Sequence, residues 1–292
     1  MLKKICKSKW CYIGLLPTFI LLAVFLLYPV IDSCYKSLCL WKTRNFFAPK
    51  FIGAANYIKL FSDVDFWNSF KVLGIFVAMG IFTLLAVNMV QTYLVYKLSN
   101  TKIGNFIKTA YIIPIMIPSM VITLYWRFFY EYQNGILNAA LKLLGLGNYA
   151  AVWLGTNETA LIALLFVGFP FAGGFGYLIF LAAFQGIDAS LHEAAEIEGV
   201  NGFQEFIKID IPLIMPQIKM LIMLQIINGI QQFSTQLVMT NGRYNTMVPG
   251  LDMYETAFSA GNYGYASTMG VVLCVIILIS TIIQNAVTKQ EE

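Results

Sequence analysis

Six amide- or hydroxyl-bearing residues recur within one otherwise apolar stretch: Gln225, Asn228, Gln231, Gln232, Thr235 and Gln236. At 3.6 residues per turn they occupy an arc of about 140° on a helix. The opposite arc holds Ile222, Ile226, Ile230, Phe233 and Leu237. Amides carry donors and acceptors together and suit neutral, hydroxyl-rich groups, whereas a phosphate or carboxylate would favour Arg or Lys, and none lies on this face. Gln225, Asn228, Gln232 and Gln236 are therefore candidates to line a solute path. The competing reading is that they bond neighbouring helices, each contributing about 0.6 to 2 kcal/mol. Asn88, Gln91, Thr92, Ser119 and Thr123 add weaker, scattered polar groups in other apolar runs.

The remaining chemistry is bounded by what the chain omits. There is no G-x-x-x-x-G-K-[ST] loop to cradle ATP phosphates, so a nucleotide-driven motor would have to be another polypeptide. No G-x-S-x-G or H-E-x-x-H pattern occurs, and His192 is the single histidine, expected at the surface. The five cysteines show no paired C-x-x-C spacing, although Cys34 and Cys39 could bridge if they face outward. No catalytic residue, metal-ligand set or cofactor is expected. The chain is 59% hydrophobic and 12% charged, against about 25% charged in soluble domains, which is membrane composition. A net charge of +4, dispersed along the sequence, argues against nucleic acid as a partner.

The longest charged interruption between apolar runs is 188–216, DASLHEAAEIEGVNGFQEFIKIDIPLIMP. Ser190 and Glu193 have capping-box spacing, and Gly199 offers a left-handed stop, which predicts a helix over Leu191–Glu198. Eight residues are too few for a free helix, because isolated helices below roughly 12 residues are marginal, so this one needs a surface to lie on. Leu191, Ala194 and Ala195 form a small apolar patch for that contact, ringed by Glu193, Glu196 and Glu198. A second start is expected at Asn201 with Gln204 three later, and Pro212 and Pro216 interrupt the helix that runs on through Phe206 and Lys208.

Glu193-Ala194-Ala195, then Gly199, then Ile209 and Ile211-Pro212 resemble the EAA signature of binding-protein-dependent ABC importer permeases. The spacing matches throughout; Ile211 replaces the usual Leu, and Glu198 stands where Asp is commoner. The segment FIGAANYIKLFSDVDFW resembles the one preceding the second helix of sugar-type permeases, in the longer-tailed partner of a two-permease pair. The resemblance covers nearly the whole chain. It implies an all-α membrane protein with the type I ABC importer permease fold, six transmembrane helices and a cytoplasmic EAA coupling loop. Glu193, Ala194, Ala195, Gly199, Ile209 and Pro212 would then be the ATPase-coupling residues. The implied partners are a second homologous permease, two cytoplasmic ATPase subunits, an extracytoplasmic solute-binding protein and a sugar substrate.

These features sit among six apolar runs, at about 13–31, 72–96, 110–126, 160–184, 220–239 and 266–283, in one domain covering 1–292. Pro114 and Pro118 predict a kink in the third run. The glycines of the fourth, Gly168, Gly173, Gly174 and Gly176, with Pro170, signal close helix packing or a bend. The segment 128–158 is too broken to span and suggests a short amphipathic helix at the outer surface. Lys3, Lys4, Lys7 and Lys9 precede the first run without any acid; charge alone gives almost no bias, but this tail, together with the docking loop that the resemblance requires to be cytoplasmic and six crossings, leads us to expect both termini in the cytoplasm of a multi-pass bacterial inner-membrane protein. None of the six runs contains Asp or Glu, which argues against an ion-coupled carrier. A non-transporting scaffold, and a permease for glycerol phosphate or a polyol, are competing readings of the same composition.

Overall fold

The computed structural model describes residues 9–99, 101–170 and 174–289, with side chains over 14–286 of these. Lys3, Lys4, Lys7, Cys6 and Gly173 lie outside the described residues, as do the side chains of Lys9, Cys11 and Lys289.

Helix α1 runs Lys9–Leu22, through a π turn at Ala23–Leu27, into Tyr28–Ser37. Two short strands, β1 (Cys39–Leu40) and β2 (Lys50–Phe51), pair antiparallel with Cys39 opposite Phe51. Helix α2 is Ala55–Phe61, and α3 spans Val64–Lys97 with a π segment at Thr83–Met89. In place of one helix over 110–126, the chain forms α4 (Lys102–Ala110), a 3-10 turn at Ile113–Met116 and α5 (Ser119–Phe129). Pro118 is the cause: it pushes the residue before it out of the α region, and Ile117 sits at φ −82° and ψ 124°. The two arms are bent by 93°.

Helix α6 (Ile136–Leu143) lies in the segment expected to be amphipathic. Buried Asn138 knits that segment together, donating to the carbonyls of Tyr132 and Ala151 and accepting from Trp153 Nε1 at 2.8 Å. The fourth run divides into α7 (Ala160–Leu165) and α8 (Gly174–Gln185). Both readings of its glycines are realised. Gly168 takes φ 84° where the chain leaves α7, whereas a Cβ at Gly176 would lie 2.8 Å from Asn88 Nδ2, so α8 packs closely there.

Helix α9 (Ala189–Ile197) is followed by α10 (Gly202–Leu213), whose middle, Phe206–Asp210, is a π segment. The fifth run also differs from a single helix over 220–239: α11 (Met215–Gln231) stops, Gln232 and Phe233 leave helical geometry, and α12 (Ser234–Met239) resumes. Ser and Thr are weak helix formers that bond locally, and the Gln232 amide donates to Ser234 Oγ at 2.9 Å and Thr235 Oγ1 at 3.4 Å. After a turn with Asn241, Tyr244 and Asn245 at positive φ, α13 (Pro249–Phe258) and α14 (Tyr263–Lys289) complete the chain. By length and composition Gly14–Ser37, Val64–Lys97 and Tyr263–Ala286 can each cross a membrane, and three bent helix pairs would raise the number to six.

The chain divides into two compact units, residues 1–66 with 252–276 and residues 67–251 with 277–292. In the first, α1 exposes Leu15, Phe19, Leu22, Phe25 and Ile31, an apolar surface suited to lipid. Asn56 donates to the carbonyls of Ser37 and Cys39, and Thr268 donates to that of Ser37. Cys34 and Cys39 are free thiols.

An acidic group also belongs to this unit. Tyr265 donates to Asp63 Oδ2 at 2.6 Å, and burial, followed by the charges of Asp63, Glu255 and Asp65, pushes Asp252 up to about 6 from 3.8. A carboxyl raised on folding binds its proton more tightly in the native state, so stability is greatest below the unfolded value and falls as pH rises towards 6. Asp252→Asn is expected to be near neutral at pH 4 and stabilising by about 1 to 2 kcal/mol at pH 7.5, after allowance for solvent screening. Melting of the detergent-purified protein at the two pH values checks this.

Candidate coupling loop and polar cavity

The coupling loop is held by caps. Asp188 caps α9, its side chain accepting from Ser190 N at 3.0 Å. The expected Ser190–Glu193 box is therefore displaced by the acid two residues earlier, and the helix covers Ala189–Ile197 rather than Leu191–Glu198. At its other end Gly199 takes φ 72°, with Gly199 N bonded to Glu196 O and Val200 N to Ala195 O, the paired bonds of a Schellman stop. Asn201 and Gln204 form the reciprocal capping box that their spacing predicts.

The surface presented differs from the expected patch. Ala195 is buried at 5% exposure and faces its own chain, while Leu191 and Ala194 stay exposed beside Glu193. Ile197 and Phe203, 87% and 73% exposed, supply the largest apolar groups of the loop. Both are single apolar residues among polar neighbours, so no pattern in the sequence singles them out. Ile209 is half-buried and Pro212 exposed.

His192 is not a free surface residue. Its Nδ1 lies 2.5 Å from Glu205 Oε1, and its Nε2 lies 3.4 Å from Tyr96 Oη and 3.8 Å from Asp210 Oδ1. Lys97 Nζ donates to the same Glu205 oxygen at 2.8 Å. Burial works against the Glu205 charge, but its bonds to Lys97 and His192 prevail and hold it below the ordinary carboxylate range. Asp210 is fully buried and neither oxygen accepts a hydrogen bond. Burial therefore raises its pKa, offset only in part by His192 and Lys97. His192, Glu205 and Asp210 each offer a ligand atom within 4.8 Å of the others. The two carboxylates, however, face opposite ring nitrogens and Lys97 already occupies Glu205, which is the geometry of an ion-pair cluster and not of a chelate.

All four candidate path residues reach common space. A cavity of about 210 Å³ is lined by Gln225, Gln232 and Gln236 together with Gly80, Thr83 and Asn88 of α3. An adjoining one of about 270 Å³ adds Asn228 and shares Gln225, Gln232 and Gln236. The break at Gln232 means that these amides do not share one continuous helical face; α11 and α12 bring them together from two directions. Gln236 is 2% exposed, and its Oε1 accepts no hydrogen bond within the protein. Gly80 leaves room for the Gln225 amide, which occupies the space a Cβ would take. No charged side chain lines either cavity among the described residues.

Four similarities bear on this arrangement. Residues 92–290 match the family model of the binding-protein-dependent transport system inner membrane component. The chain is 28% identical over 285 residues to the "Probable starch degradation products transport system permease protein AmyD" of Thermoanaerobacterium thermosulfurigenes, covering 97% of this chain and 95% of that one. It is 27% identical to the multiple sugar-binding transport system permease protein MsmF of Streptococcus mutans, covering 100% and 99%. A solved bacterial alginate ABC transporter, in complex with an alginate pentasaccharide-bound periplasmic protein, has a chain of the same fold. Its TM-score is 0.85 at 20% identity, over 99% of this chain and 97% of that one.

Proposed function

We propose, for a chain that belongs to the family of binding-protein-dependent transport system inner membrane components, the role of permease subunit in an ATP-driven importer of a sugar or oligosaccharide. The protein is an all-α, integral inner-membrane ABC importer permease. The solute class rests on one observation: amides from α11 and α12 converge on an uncharged cavity where the buried Gln236 Oε1 accepts no hydrogen bond from the protein. A solute hydroxyl would supply that bond, and leaving a buried acceptor unmade costs about 1 to 3 kcal/mol. A glycerol phosphate would instead meet no cationic side chain. Polyols share the hydroxyl chemistry and stand as the nearest alternative.

In this reading, a solute-binding protein delivers the sugar from the outer side, and both termini and the loop 188–216 face the cytoplasm. Two ATPase subunits serve the complex, one of them docking here on Glu193, Leu191, Ala194, Ile197 and Phe203, and a second, homologous permease completes the path. ATP hydrolysis resides in the docked subunits. Co-purification and reconstitution test the whole. The chain with its ATPase and second permease is expected to hydrolyse ATP faster when a saccharide-loaded binding protein is added, and without the second permease no active complex should form. Association with no ATPase would return the chain to the carrier or scaffold readings.

A further inference from the structure

The chain leads from the coupling loop directly into α11, yet its side chains tie the loop to a different helix. The last residues of α3 meet it at four points. Lys97 donates to Glu205, which also pairs with His192. Tyr96 Oη and His192 Nε2 are 3.4 Å apart, and Tyr93 Oη donates to the Gly202 carbonyl at 3.3 Å. The Tyr93 ring packs on Phe206 with centroids 4.3 Å apart. These contacts join α9 and the first half of α10 to one end of α3. Asp210, fully buried, lies beneath them with its Oδ1 3.8 Å from His192 Nε2.

Helix α3 connects this end to the cavity. Nine residues before Lys97 it enters the lining with Asn88, and three of the residues it contributes there, Thr83, Leu84 and Asn88, fall inside the π segment Thr83–Met89. A π segment carries an extra residue per turn, so it is a place where a helix can change register without unravelling. Gly80, which houses the Gln225 amide, lies one turn further on.

We infer that Lys97, Glu205 and His192 are positioning residues: they form a joint through which motion of the coupling loop is transmitted to α3, and so to the wall of the cavity that α3 supplies. This rests on the permease role proposed above. The stroke of the ATPase then reaches the amide cavity through two helices, covalently into α11 and by ion pair into α3. Removing Lys97 takes from Glu205 its ammonium donor and from α3 its ion pair to α10, which loosens the joint while the caps of α9 and α10 remain intact.

A charge swap in the full complex tests it. Lys97→Glu and Glu205→Lys are each expected to retain ATP hydrolysis stimulated by loaded binding protein, but to lower solute imported per ATP at least about fivefold. The double swap should recover to within about twofold of wild type, the non-additivity expected of contacting charges. Unchanged import per ATP in both single variants, or a double variant no better coupled than the singles, would overturn the joint. A second measurement covers variants that fail to assemble. Spin labels at Leu98→Cys and Lys208→Cys, in a chain whose five native cysteines are replaced, should keep their separation between nucleotide-free and vanadate-trapped complexes. A change exceeding one helical pitch, about 5 Å, would show the loop parting from α3 and overturn the proposal. Absence of stimulated hydrolysis in the wild-type complex would instead count against the permease role itself.

Discussion

Glu193→Arg is expected to leave the chain in the membrane and to abolish solute uptake, with ATP hydrolysis no longer responding to loaded binding protein. Glu193 is exposed on α9 and has no hydrogen-bonding or ionic partner among the described residues, so its loss removes nothing that holds this chain together. It stands beside exposed Leu191 and Ala194, on a nine-residue helix whose own stop and start are intact without it. In a docked interface, reversing that charge costs several kcal/mol by like-charge juxtaposition, which would exceed a roughly hundredfold loss of association. Gly199→Val should act on the same step differently. The site has open space around a Cβ, so its cost, about 1 kcal/mol or more, lies wholly in forcing a β-branched residue to φ 72°. Membrane yield, ATPase co-purification and uptake, measured together, check both; wild-type uptake in both variants would remove the loop from the coupling path.

The second large effect concerns the amides. Asn228→Leu and Gln232→Leu, made separately, are expected to weaken solute binding roughly 5- to 150-fold, the equivalent of about 1 to 3 kcal/mol for unpaired solute hydroxyls. Both side chains are exposed to the cavity space, and the Gln232 amide donates only to hydroxyls two and three residues away. Melting of the detergent complex should therefore change little. Uptake across a panel of sugars, alongside melting, separates solute binding from helix packing. Reduced stability with unaltered specificity at 228 and 232 would mean that the amides only join helices.

Local signals in the sequence carry far where the physics is local. The Asn201–Gln204 box and the Gly199 stop form as spaced, because each needs only bonding partners within five residues. Composition marks the long apolar helices Val64–Lys97 and Tyr263–Ala286 equally well. Three features escape it for reasons that are tertiary. Asp188 and Ser190 both suit a cap, and which one is used depends on how α8 delivers the chain. The amide run reads as one helical face, but the local bonds of Gln232 break it, so the convergence of Gln225 and Gln236 comes from two helices. His192 reads as a surface residue because its partners, Tyr96, Glu205 and Asp210, are dispersed over more than a hundred positions and follow no motif.

The Gly80–Gln225 fit binds two helices into a single inheritance. Since the tip of the Gln225 amide fills the volume that a side chain at position 80 would need, a change at 80 obliges that amide to move, whereas 225 can shorten without disturbing the glycine. A lineage that shifts its solute by altering Gln225 is released from the glycine, and one that first acquires a bulkier residue at 80 must swing the 225 amide aside or shorten it. Changes of diet in descendants of this permease should therefore be written at both positions together, on α3 and α11, with Gly80 the silent half of the pair.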